Sequence, residues 1–340
     1  MDVAVVGGSG YAGAELLRLL TGHPVFKIRT VAAGASAGRD LAEVFPHLGV
    51  SGTLSPAEPE ALDGCAVVFL ATPHEVSLAL VPGLLAQGAT VVDLSGAFRL
   101  DAMTFEQWYG LEHTAPELSP AVYGLPELFR GALMGAGLVA GPGCYPTAAL
   151  LALAPLAGLI DPASIVVTGL SGTSGAGRGL RDDLHASHAV GNAALYGAPT
   201  HRHTPEIERI WTLVADSSEP TPLTFVPYLV PMSRGQLCTV TATLADPGAA
   251  AEVREAFEQR YAPEPFVTVL AEGAWPATTH VRGSNAAHVG VAVDQRANRV
   301  LTCCAIDNLG KGAAGQAIQA ANVALSLPET AGLPISGVYP

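Results

Sequence analysis

At 340 residues with 49% hydrophobic and only 14% charged side chains, the chain is long and apolar enough to bury one large core or two, which excludes a disordered protein. A formal net charge of −13 sets up a field that repels phosphate backbones and excludes nucleic acid as a partner. The most apolar stretch, Ala148 to Ile160, is interrupted by Pro155 and too short for a bilayer, and the N-terminus opens on a strand and a glycine turn rather than a basic leader, so a cytoplasmic protein is expected.

Asp2 to Val6 is β-prone and runs into Gly7-Gly8-Ser9-Gly10-Tyr11-Ala12-Gly13. Ala14 to Leu20 then carries Leu16, Leu17 and Leu20 at helical spacing. Phe26 to Ala33, Ala66 to Ala71, Thr90 to Leu94 and Gly137 to Gly141 read as further strands, and Val76 to Leu85 as a helix. The run Ala66 to Ala71 is almost wholly apolar, as in a strand buried on both faces. Strands alternating with helices predict a parallel, doubly wound sheet of the Rossmann type.

Beyond Cys144 the pattern changes. Ala148 to Ala154 reads as a helix ended by Pro155, Ile165 to Leu170 as a strand, and Ser171 to Gly177 as a second glycine-rich stretch. Arg178 to Pro199 reads as a loop, and its His185 and His188 as loop histidines. Pro205 to Val214 is an amphipathic helix with Ile207, Ile210, Trp211 and Val214 on one face. Leu223 to Val230, Gln236 to Leu244, Val267 to Leu270, His288 to Asp294 and Arg299 to Ile306 are strand-like, with Ala250 to Tyr261 a helix among them. So few crossover helices predict a mixed or antiparallel sheet in a second α+β domain. Gly312 to Leu325 is a last helix.

Gly7, Gly10 and Gly13 stand at the first strand-to-helix junction, where glycine permits a tight turn and lets amides reach a pyrophosphate at the positive end of the helix. The second strand ends in Ala32-Ala33-Gly34-Ala35-Ser36-Ala37-Gly38-Arg39, with no carboxylate before Asp40. A carboxylate there would accept from the ribose 2′-hydroxyl of NAD. Ser36 and Arg39 suit a 2′-phosphate instead, so NADP is the expected cofactor.

Gly141-Pro142-Gly143-Cys144-Tyr145-Pro146-Thr147 leads into the helix predicted from Ala148, with Pro146 suited to its first position. A thiol at that place is stabilised as thiolate by helix amides and dipole, which is what a covalent cysteine catalyst needs. The other cysteines, Cys65, Cys238, Cys303 and Cys304, support neither a zinc site nor a disulfide framework; the adjacent pair reads as small core residues. His201-Arg202-His203-Thr204-Pro205-Glu206 offers a base, with Thr204 expected to cap the helix and hold His203 in place. His203 is the first choice and His201 the alternate. No histidine spacing matches a metal site, and none is expected.

Together these segments resemble the N-acetyl-gamma-glutamyl-phosphate reductases of arginine biosynthesis, relatives of aspartate-semialdehyde dehydrogenase. The resemblance spans the chain through GGSGYAGAELLRLL, DLSGAFRL at Asp93 to Leu100, YGLPEL, GPGCYPTAA, SGTSGAGR, HRHTPEIE, VPMSRG and IDNLGKGAAGQA. Ala97 departs from the acidic residue many relatives carry before the Phe-Arg pair, while Arg99 is intact. The family implies NADPH-dependent reduction of N-acetylglutamyl 5-phosphate to the 5-semialdehyde through a thioester on Cys144, with His203 as proton donor. It also implies Arg99 as a phosphate ligand, Arg234 as a ligand for the substrate carboxylate or a brace for the second domain, and Ser174 and Gly175 as a second cradle for the cofactor. Asn308 and Lys311 are expected near the nicotinamide. Residues 1–144 with 311–340 are expected to form the NADP-binding domain, 145–310 the catalytic and oligomerisation domain of a homodimer or homotetramer. Two alternatives stand: the related reductase of lysine biosynthesis, whose acidic carrier protein a charge of −13 would repel, and a dinucleotide-binding regulatory protein without chemistry.

Overall fold

A computed structural model describes residues 1–339. They divide into two compact units: Met1–Gly143 with Ala313–Leu333, and Cys144–Gly312 with residues 334–339. The expected division, 1–144 with 311–340 against 145–310, shifts at its edges: Cys144, Lys311 and Gly312 fall in the second unit. The tail after Leu333 packs with the second instead, through Asn285 N–H to Pro334 O (2.8 Å) and Val338 N–H to Arg282 O (2.7 Å).

The first unit is built on strands β1 (Asp2–Val6), β2 (Lys27–Ala33), β3 (Ser55–Pro56), β4 (Val67–Leu70), β5 (Thr90–Asp93), β6 (Val122–Tyr123) and β7 (Leu138–Ala140). They form one sheet in the order β3-β2-β1-β4-β5-β7-β6, with every pairing parallel. Residues Val3 to Val6 and Val67 to Leu70 are fully buried, as expected for central strands covered on both faces. Helix Tyr11–Thr21 begins three residues before the predicted Ala14, because Gly10 already stands at its N-cap in extended geometry. Helix Gly315–Ala324 packs near β5, Pro126–Leu133 and Tyr11–Thr21. Its Gln316 donates Nε2 to Gly124 O (2.7 Å), and its Asn322 Oδ1 pairs with His23 Nε2 (3.1 Å).

The second unit holds β8 (Val166–Gly172), β9 (Ala194–Leu195), β10 (Thr224–Val230), β11 (Gln236–Thr243), β12 (Val267–Val269), β13 (Ala287–Asp294) and β14 (Arg299–Ile306). Their order is β12-β13-β14-β11-β8-β10-β9. The sheet is mixed: β8/β10 and β12/β13 run parallel, the other pairs antiparallel. Along β11 burial alternates, so Gln236, Cys238, Val240 and Ala242 face inward. Against that face lies helix Cys144–Leu153, whose residues Tyr145 to Leu153 are all buried. A helix apolar on every side has to be a core helix. It starts four residues before the predicted Ala148. Pro146 is its third residue, still within the first turn, where a missing N–H removes no intrahelical bond.

Two glycines of the first turn are required by the protein itself. Gly7 has φ +81°, and an added Cβ would lie 2.1 Å from Ala71 O. At Gly13 a Cβ would lie 2.3 Å from Gly7 O, so helix and strand approach there to backbone contact. Gly13→Ala is therefore expected to cost about 1–3 kcal/mol. Gly34→Ala, where a Cβ meets nothing within 4 Å, should stay within about 0.5 kcal/mol. Urea unfolding of both variants measures this.

Candidate active site and dinucleotide turn

In the first unit, the amides of Gly7 and Gly8 both donate to Ala32 O (2.9 and 3.0 Å), and Gly10 N–H donates to Gly7 O (3.0 Å). These bonds of Gly7 and Gly8 shape the turn. The intrahelical ladder begins with Ala14 N–H to Gly10 O (2.9 Å). Tyr11, Ala12 and Gly13 lie in the turn before it, where a helix has no carbonyls of its own to offer its amides. Gly10 has an ordinary φ of −86°, and a Cβ there would meet only Gly7 O at 3.4 Å. Neither strain nor protein packing demands glycine at this residue. Close approach of a ligand would, which is the fit a pyrophosphate requires. Asp40, the first carboxylate after β2, is committed to capping helix Leu41–Val44 by accepting Ala42 N–H (2.8 Å). Ser36 is half-buried and Arg39 exposed, joined in one turn by Arg39 N–H to Ser36 O (3.3 Å).

The DLSGAFRL segment is a buried polar knot. Asp93, at the end of β5, accepts from Ser77 Oγ (2.7 Å), Ser95 Oγ (2.7 Å) and Ser95 N–H (3.1 Å). Burial pushes its carboxyl up, and these hydrogen bonds oppose the rise. Arg99 is 5% exposed and donates Nε to Gly141 O (2.8 Å) and Nη2 to Leu94 O (2.8 Å). It thereby ties the end of β5 to the loop that precedes Cys144.

In the second unit, Cys144 is the first residue of the buried helix and is itself half-buried. The other four cysteines are buried, and burial pushes the thiols of Cys65, Cys238 and Cys303 up. Helix Thr204–Val214 packs on the Cys144 helix and brings His201 and His203 with it. The two imidazoles lie 4.9 Å apart, and the Tyr145 ring meets them edge-on at 5.7 Å and 5.9 Å. Tyr145 donates its hydroxyl to Tyr228 O (2.9 Å) and accepts from Tyr196 OH (3.1 Å). Burial pushes Tyr145 far up and Tyr196 to about 12, so both stay protonated. Gly169 in β8 makes room for this ring: a Cβ there would sit 2.5 Å from its edge.

Thr204 does not cap its helix. It is the first helical residue, and its buried Oγ1 has no hydrogen-bond partner. The role expected of it falls to His201, whose Nδ1 accepts His203 N–H (3.1 Å) while its carbonyl accepts Thr204 N–H (2.9 Å). His201 is also boxed by Tyr145, Tyr196, Phe225 and His203. Desolvation, and then the nearby Arg202 charge, pushes its pKa down to about 4. With Nδ1 accepting, the neutral ring carries its proton on Nε2.

The remaining candidates gather at one end of the second sheet. Asn308 donates Nδ2 to Ser174 Oγ (2.9 Å) and accepts Gly235 N–H on Oδ1 (2.8 Å). Gly175 is held close, since a Cβ there would lie 2.9 Å from Ser171 Oγ. Arg234 pairs with the buried Asp307 carboxylate (Nη2 to Oδ1, 2.9 Å). Lys311 is buried with its Nζ 5.5 Å from the Phe266 ring centre. Sequence reasoning missed Tyr145, Tyr196 and Asp307. Tyr196 lies in the segment read as a loop, where β9 is only two residues long and too short for any periodicity. Asp307 stood inside a recognised motif without a chemical signature of its own.

Comparison with known proteins agrees with this division. Residues 2–136 match the family described as semialdehyde dehydrogenase, NAD binding domain, and residues 144–308 the one described as semialdehyde dehydrogenase, dimerisation domain. Among solved structures, aspartate semialdehyde dehydrogenase II from Vibrio cholerae superposes with a TM-score of 0.72 at 18% identity, covering 95% of this chain and 97% of that one. A probable aspartate-semialdehyde dehydrogenase from Pseudomonas aeruginosa does so at 0.71 and 22%, over 95% and 98%. These share the fold. Much nearer in sequence are curated proteins named N-acetyl-gamma-glutamyl-phosphate reductase: 47% identical in Symbiobacterium thermophilum, over 99% of both chains. In Geobacter sp. strain M21 the figure is 47% over the full length of both. With near-complete coverage at that identity, the chain belongs to the N-acetyl-gamma-glutamyl-phosphate reductase family.

Proposed function

We propose that this protein reduces N-acetyl-L-glutamyl 5-phosphate to N-acetyl-L-glutamate 5-semialdehyde and phosphate, with NADPH as reductant, in arginine biosynthesis. The observation that carries the reading is a half-buried cysteine at the first residue of a core helix whose next residue, Tyr145, packs its ring on a pair of histidines set by the neighbouring helix. The names of the full-length relatives favour this substrate over the carrier-bound one of lysine biosynthesis and over a non-catalytic role.

The amides of Ser9, Gly10, Tyr11, Ala12 and Gly13 hold the pyrophosphate, and Ser36 and Arg39 the 2′-phosphate. Ser174, Gly175 and Asn308 form the second cradle. The Cys144 thiolate attacks the acyl carbonyl, the C–O bond to phosphate breaks, and a thioester forms. Bound NADPH supplies the hydride that this thioester accepts. His203 gives a proton to the oxygen that becomes negative. When the thiohemiacetal collapses the hydroxyl proton returns to the imidazole, the C–S bond breaks and the thiolate is regenerated. His201 orients His203 and stays neutral. The bonds made by Arg99 support a role in holding the loop before Cys144, and those of Arg234 a bracing role in the second unit. No described helix is long and apolar enough to cross a membrane. Together with the biosynthetic role, this supports a cytoplasmic enzyme, assembled as a homo-oligomer through residues 144–308.

Run in reverse with the semialdehyde, phosphate and NADP, the protein should generate reduced nicotinamide absorbance; folded protein that gives none overturns the reading. Cys144→Ser should lower kcat by about 10³-fold or more while NADP binding, followed by fluorescence, is unchanged.

The histidines separate by pH. A pKa lowered to about 4 leaves His201 uncharged throughout the neutral range, so any limb of the kcat profile near neutrality belongs to another group. In His201→Asn the side-chain oxygen can still accept His203 N–H; kcat should fall by about tenfold or less and keep the shape of its pH profile. His203→Gln should remove the limb and cost about 10²-fold or more. The reverse pattern would make His201 the acid.

A further inference from the structure

The second unit begins at Cys144 and its main segment ends at Gly312, and these two residues touch. A Cβ on Gly312 would lie 2.8 Å from Cys144 Cβ and 3.3 Å from its Cα. Glycine is required here by close approach, since its backbone lies flat against the root of the thiol side chain. Gly312 sits in the middle of Gly310–Ala314, a π-helical turn. Such turns need support from outside their own hydrogen bonds and recur at functional sites.

That support comes from Asp307. Its Oδ1 accepts from Leu309 N–H (2.9 Å), Gly310 N–H (3.0 Å) and both Nη2 (2.9 Å) and Nε (3.2 Å) of Arg234. Oδ2 accepts Gly283 N–H (2.6 Å), and the Asp307 carbonyl accepts Gly312 N–H (2.9 Å). One fully buried residue thus gathers the amides of 309, 310 and 312 on one side and that of 283 on the other. Gly310 completes the clamp, because a Cβ there would lie 2.3 Å from Ser284 O. The turn is pinned at both ends with its middle pressed on Cys144.

We infer that Asp307 is a positioning residue for the nucleophile: through the 307–312 turn it holds the Gly312 backbone against Cys144 and so restricts the directions the thiol can take. The assignment rests on Cys144 being the nucleophile but not on the identity of the substrate. A thiol that must meet an acyl carbon along one line loses rate when its direction is spread, while substrate and dinucleotide affinity need not change.

Two full-length variants test it. Gly312→Ala pushes the turn off Cys144 and leaves the carboxylate in place. Asp307→Asn keeps the Arg234 side of the network and removes the acceptor for Gly283. The rate of Cys144 alkylation by iodoacetamide, located by mass spectrometry, is followed across neutral pH alongside kcat, KM and NADP affinity. Both variants are expected to change the alkylation rate by about tenfold and lower kcat by about 10–100-fold, with KM and NADP affinity within about twofold. Wild-type alkylation and kcat in either folded variant overturn the inference. If Asp307→Asn does not fold, Arg234→Gln, which loosens the same carboxylate, takes its place under the same criterion. Alkylation needs no substrate, so this result is readable even if the wild-type protein fails the reductase assay.

Discussion

A helix apolar on all sides cannot lie on a surface, and the second unit is built around that constraint. Tyr145 to Leu153 are buried against β11 and β14, where each buried leucine contributes about 2 kcal/mol. Such a helix is held by its flanks and not by its ends, so its N-terminus has a fixed place. Cys144 is the first residue beyond the fully buried stretch. The thiol therefore inherits its position from core packing and its electrostatic surroundings from the helix end. The Tyr145 ring, seated over Gly169, carries the same rigidity to the two imidazoles.

Around this apolar element the buried charges are held by backbone groups. Asp93 is met by serine hydroxyls and an amide, Arg99 by two carbonyls, and Asp307 by three amides and a guanidinium. An isolated buried charge is costly, and one surrounded by oriented backbone dipoles is much less so. Each of these residues closes a loop at the end of a strand. Loops are where backbone hydrogen bonds would otherwise go unmade, and the charged side chains supply the missing partners. His201, uncharged, likewise meets backbone amides before a helix, accepting His203 N–H on Nδ1 and Thr204 N–H on its carbonyl.

In the dinucleotide turn, steric and electrostatic demands fall on different residues. Gly7 and Gly13 are glycines because the protein has no room for a side chain. At Gly10 the protein has room for a Cβ. Spacing alone shows three glycines of equal standing; the packing around each separates them.

Most of the architecture was legible in the sequence because it follows from local patterning. The apolar runs of β1, β4 and β5, the helix over Ala250–Tyr261 and the strand over Arg299–Ile306 need only a window of neighbours to be recognised. Cys144, proposed as the nucleophile, stands out for a similar reason, as a cysteine between glycines and a helix. What no window contains is a contact between residues far apart in the chain. That Gly312 rests on Cys144, that Asp307 reaches back to Gly283, and that Tyr196 hydrogen-bonds Tyr145 were decided only when the sheet of the second unit was assembled. The difference in surroundings between His201 and His203 is of this kind too. The two are alike in sequence, and they differ in the folded chain because one ring is enclosed and its Nδ1 is taken by a backbone amide.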